Sequence, residues 1–79
     1  MKLMEAVAER VKELLAEKGI TAYRLSVLSG ISEATISDIK LIRNQSVGLN
    51  IVQALAHGMK IGLIEFFNSP LFSYENIVD

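Results

Sequence analysis

The chain has 79 residues, about half of them apolar, with one proline, no cysteine and a formal net charge of −1. A chain of this length makes one small domain near the lower limit for a stable core; the composition argues against a disordered polypeptide, a disulfide framework and a thiolate zinc site. The near-neutral balance argues against an indiscriminate, strongly basic polyanion binder, and leaves any phosphate contact to the local placement of a few cations.

Met1-Lys2 runs directly into charged, helix-periodic sequence. No signal-like apolar region follows, and no run approaches the ~20 apolar residues of a membrane span, so a soluble, cytoplasmic chain is expected. Residues 3–18 read as an amphipathic helix with Leu3, Val7, Val11, Leu14 and Leu15 on one stripe. Glu5, Glu9, Glu13 and Glu17 form a solvated acidic row, offset in part by Lys2–Glu5, Glu9–Lys12 and Arg10–Glu13 pairs at i+3. Gly19 is placed to close this helix.

The organising stretch is Thr21–Ile39. Thr21 and Ser32 stand at N-cap positions, each preceded by an isoleucine (Ile20, Ile31) and followed at the fourth helical position by an apolar residue (Leu25, Ile36). That spacing is a capped helix start with a hydrophobic staple, given twice. Gly30 lies between the two segments, where a left-handed turn costs glycine little. The second helix is expected from Glu33 to about Ile42, with Ile36 and Ile39 inward and Glu33, Ala34, Ser37, Asp38 and Leu41 outward. Because a β-branched residue is poor at φ > 0, Ile42 is read as helical and the end of the helix is placed at Asn44. Residues 43–48 form the loop.

A fourth helix begins at Gly48 and ends at His57-Gly58, with Leu49, Val52, Leu55, Ala56 and Met59 as its buried stripe. A short fifth covers Leu63–Phe67 after Gly62. The pairs Val47/Val52 and Ile61/Phe66 repeat the staple spacing. Pro70 stops the last helix. The division is therefore a domain over residues 1–69 and a tail over 70–79 that is apolar enough to pack in part.

Thr21, Leu25, Ser26, Ser29-Gly30-Ile31-Ser32, Thr35-Ile36-Ser37 and Ile39, with Ala54-Leu55-Ala56, Ile61 and Glu65-Phe66-Phe67 beyond, resemble the Cro/CI-type (XRE-like) helix-turn-helix regulators over roughly residues 3–72. The resemblance implies an all-α, lambda-repressor-like bundle of about five short helices, with the helix-turn-helix at about residues 21–42. It implies a transcriptional regulator, a repressor, binding double-stranded DNA as a homodimer with no cofactor or metal. Base-reading positions carried over from the family fall on Glu33, Ala34 and Asp38, with Thr35 and Ser37 close by. A carboxylate can accept from cytosine N4, and the methyl groups of Ala34 or Thr35 can meet a thymine methyl. Relatives more often have Gln, Asn, Arg or Lys there, a glycine at Ile42 and Thr or Ser at Gly48.

Phosphate contacts are expected from Thr21, Ala22, Tyr23 and Arg24 at the first motif helix, from Ser32 and its neighbouring amides, and from Lys40, Arg43, Asn44 and Gln45 after the second. Asp38 gains nothing from the helix dipole at mid-helix, which points either to function or to an ion pair with Arg24 or Lys40. Ile51, Ala54 and Ile64, with Phe67, Leu71 and Phe72, supply material for a dimer interface; the tail folding back over them within one chain is the alternative. His57, the only histidine, has no metal-ligand spacing around it and is read as a helix-end residue. No nucleophile–base arrangement stands out, so catalysis is not expected. Other readings keep the fold for protein–protein contact or as the antitoxin partner of a toxin, with control by abundance or by a regulatory protein partner.

Overall fold

The computed structural model describes all residues from Met1 to Asp79. Five helices follow in order: α1 (Leu3–Lys18), α2 (Ala22–Ser29), α3 (Glu33–Lys40), α4 (Leu49–Gly58) and α5 (Leu63–Phe67), then one 3-10 turn (Pro70–Phe72). Apolar side chains from all five helices, with Met59 and Ile61 between α4 and α5, form a single core. No polar or charged residue is buried in it. α2 and α3 pack on each other, α3 also lies on α1, and α2 on α4. α3 is thus held from behind by the longest helix and, through α2, by α4.

The helix starts follow the spacing rules closely. Thr21 Oγ1 accepts from the Arg24 amide at 3.0 Å, and Ser32 Oγ from the Thr35 amide at 3.1 Å. Leu25, Ile36, Ile61 and Phe66 are buried, and Val52 with them, so each staple reaches the core. Gly19 and Gly30 take left-handed conformations with φ of 67° and 77°. At the start of α1 the Glu5 carboxylate accepts from the Lys2 backbone N–H at 2.7 Å. Glu5 is therefore a capping residue, and the side-chain ion pair expected with Lys2 does not form.

Three expectations about helix boundaries and faces need correction. α3 ends at Lys40, not near Ile42 or Asn44, and Ile42 adopts φ of 55°. The cost of a β-branched residue there is outweighed by closure of the helix end, in which Ile42 N–H donates to the Ile39 carbonyl and Arg43 N–H to that of Asp38. Leu3 and Leu49, counted as core, are 48% and 70% exposed. Both stand in the first turn of their helices, beyond the edge of the packed layer. Gly58 is buried within α4: a Cβ there would lie 3.1 Å from Ser29 Cα and N, so its missing side chain lets α4 meet the end of α2.

Ile42→Gly removes the left-handed strain at an exposed turn. The variant is expected to be more stable by about 0.5–1 kcal/mol, seen as a melting point several degrees higher. A lower melting point would mean that packing of the isoleucine outweighs its backbone strain.

The last ten residues are tied to the start of α1. The Met1 ammonium donates to the Asn76 carbonyl at 2.8 Å, Val78 N–H to the Met1 carbonyl at 3.1 Å and Leu3 N–H to Asp79 Oδ2 at 3.1 Å. Phe72 joins Phe66 and Phe67 in an edge-to-face cluster, with ring centroids 4.9 Å (Phe67–Phe72) and 5.0 Å (Phe66–Phe67) apart.

Candidate nucleic-acid interface

α3 buries one face and opens the other. Ile36 and Ile39 lie in the core, while Glu33 and Ala34 are exposed and Thr35, Ser37 and Asp38 are half-buried at the surface. The Ser32 hydroxyl, besides capping the helix, donates to Thr35 Oγ1 at 2.9 Å, so these two side chains are fixed on each other. The amides of Glu33 and Ala34 on α3, and of Ala22 and Tyr23 on α2, have no acceptor within the chain. Such helix ends favour anions.

The residues expected to meet phosphate fall into separate groups. Thr21 and Ala22 share a shallow depression with Lys40 and also Lys12. Arg43, Asn44 and Gln45 line another, beside Lys2 and Glu5 at the start of α1. Arg24 opens instead onto a third depression with Lys18 and Lys60, which Lys40 does not line. Tyr23 is exposed. Lys12 on α1 and Lys2 at its N-cap show no sign of these groups in the sequence, because only the packing of α1 against the motif brings them there.

Asp38 has a different partner from either one expected. Arg43 Nη1 donates to Asp38 Oδ1 at 3.1 Å, whereas Arg24 and Lys40 make no ion pair. The two are five positions apart, and the left-handed turn at Ile42 brings the guanidinium back over the helix. One of the two carboxylates on the reading face is therefore compensated in place. Glu33 has no cationic partner and stands in the first turn, where it meets the helix dipole favourably.

The family model for the Cro/C1-type HTH DNA-binding domain matches residues 10–66, which hold the whole of α2, α3 and α4. The chain belongs to this family. DNA is accordingly the partner of this Cro/C1-type domain. No curated protein matches the chain. No helix of the Cro/C1-type domain is long and apolar enough to cross a membrane, and no cluster of His, Cys, Asp and Glu is placed to hold a metal ion. His57 is exposed in the last turn of α4.

The residues set aside for a dimer contact are not alike. Phe67 and Phe72 are half-buried and packed on the core, and Ile51 leans on it as well. Leu71 and Ala54 are half-buried, and the Leu71 carbonyl accepts from Asn76 Nδ2 at 2.6 Å. Ile64 is 89% exposed. The tail thus lies on α1 and meets α5 through Phe72 against Phe66 and Phe67, while Ile64 stays outward.

Proposed function

We propose that the protein is a sequence-specific transcriptional regulator, a repressor that occludes a promoter by inserting α3 into the major groove. The observation that carries this reading is the two-sidedness of α3: Ile36 and Ile39 anchor it in the core, while Glu33 and Ala34 are exposed and Thr35, Ser37 and Asp38 reach the surface half-buried. In this reading the outward side chains read base edges, and the flanking cations and free helix amides hold the register on phosphates. No reaction is assigned, and the chain acts by binding alone.

Binding is as a homodimer on a pseudo-palindrome, with half-sites about one helical turn apart, because one such domain covers too little DNA for high affinity. Exposed Ile64, with the half-buried Ala54, Phe67 and Leu71, is the material for the contact between copies. Sedimentation across a concentration range should show self-association, or pairing on a duplex that carries two half-sites. A monomer in both conditions would remove the dimer.

The direct test is titration of a short duplex at two salt concentrations. Counterion release should make affinity fall steeply as salt rises. A rival reading, contact with another protein in place of DNA, is favoured by the uncompensated Glu33 in the first turn of α3. It predicts no salt-dependent retention of the duplex.

A further inference from the structure

Three helices end in the same backbone arrangement. A residue in the left-handed region (Gly19, Ile42 or Lys60) is followed by one whose N–H reaches back five positions: Ile20 to the Leu15 carbonyl at 3.1 Å, Arg43 to Asp38 at 2.9 Å and Ile61 to Ala56 at 3.0 Å. This closure is usually accompanied by an apolar contact between the two residues it joins. The pairs Leu15/Ile20 and Ala56/Ile61 are apolar and belong to, or pack on, the core. At the end of α3 the corresponding pair is Asp38 and Arg43, bound to each other by an ion pair as well as by the backbone.

Stability does not account for this exchange. The two side chains are 37% and 58% exposed, and surface pairs of this kind add little to folding. The turn also places an isoleucine at positive φ. What the arrangement does is fix a carboxylate on the outward face of α3. Arg43 engages only Oδ1, and Oδ2 accepts no hydrogen bond from the protein.

We propose that Arg43 is a positioning residue for base reading: it holds Asp38 through Oδ1 and leaves Oδ2 to accept from the N4 amino group of a cytosine. This rests on the DNA-binding reading above and adds a base preference to it. In the major groove, guanine and thymine present acceptors that repel a carboxylate, and adenine sets its N7 acceptor beside its amino group. Cytosine alone offers the amino group without an adjacent acceptor on the same base. The guanidinium has five N–H donors, so those not used on Asp38 remain for a phosphate beside the groove. Its charge also lowers the repulsion that a bare carboxylate would meet between phosphates.

The test is binding-site selection from a randomised duplex pool, run with the wild type and four variants, each checked for an unchanged circular dichroism spectrum. The wild type should prefer cytosine about tenfold at one position of each half-site. Asp38→Asn should shift that position towards adenine, which an amide can bind in bidentate fashion. Arg43→Ala should weaken binding and reduce the preference below about threefold. Arg43→Lys, which keeps the charge without the planar fork, should recover the salt dependence but not the preference. Lys40→Ala should weaken binding to all sequences and leave the preference intact.

An Arg43→Ala protein that binds more weakly with its cytosine preference intact would overturn the proposal and reduce Arg43 to a phosphate contact, with the DNA-binding reading unharmed. Failure of the wild type to retain any duplex in dilute buffer would overturn that reading, and this inference with it.

Discussion

Replacing Phe66 with alanine is expected to leave little folded protein at 25 °C. The ring is fully buried at the one place where α5, α4 and the tail converge, against Phe67 and Phe72. Removing it costs about 3–5 kcal/mol in lost transfer energy and residual cavity. A domain of this size holds only about 4–12 kcal/mol in total, with small cores at the lower end. The main chain at this residue is also an anchor: Arg10 Nε donates to the Phe66 carbonyl at 2.6 Å and Nη2 to the Glu65 carbonyl at 2.8 Å. Loosening α5 therefore frees a largely buried guanidinium on α1 as well. Chemical denaturation should show the transition moved to very low denaturant. A midpoint close to that of the wild type would mean that α5 and the tail add little to the core, and that the first four helices fold without them.

The second large effect concerns binding. Exchanging Lys40 and Arg43 together for glutamate should lower affinity for any duplex by a hundredfold or more, on the order of the loss of two phosphate contacts at low salt. The slope of log affinity against log salt should become shallower by about two units. The new carboxylates stand at and just beyond the end of α3, which already carries Glu33. Asp38 loses its compensating cation at the same time. Charges this close act within one screening length, so the repulsion is collective. The fold should survive, because Arg43 is exposed and Lys40 is only half-buried; reversing the charge at the end of α3 costs about 0.3–1 kcal/mol through the helix dipole. Undiminished binding with an unchanged slope would place the phosphate contacts elsewhere on the molecule.

Much of the fold could be read locally, because helix starts are written in short-range chemistry. A hydroxyl cap, an isoleucine before it and an apolar residue four positions into the helix located α2 and α3. The same staple located α4 and α5 although glycine, which offers no side-chain cap, stands at their N-caps. The inward pair Ile36 and Ile39 fixed which face of α3 is outward; the candidate reading residues on it came from the family resemblance.

What escaped was set by packing and closure. Ile42 follows the geometry of a closed helix end against its own preference. The partner of Asp38 could not be found from helical i+3 or i+4 spacing, since it lies five positions on and is reached only through that left-handed turn. Arg10 reads as a surface member of an i+3 pair with Glu13, and it does make that pair. Its larger role, capping the carbonyls of α5, joins residues 55 and 56 positions apart, which no local pattern encodes. Leu3 and Leu49 fit their stripes by period but sit at the ends of the helices, where period no longer reports burial.

The most direct test of the account is to map the backbone amide signals of the protein by NMR as a short duplex is added in dilute buffer. The largest shifts are expected on residues 33–38, on Thr21–Tyr23 and on Lys40–Gln45, with the outer face of α1 at Glu9, Glu13 and Glu17 unmoved. Shifts confined to other surfaces, or none at all, would contradict it.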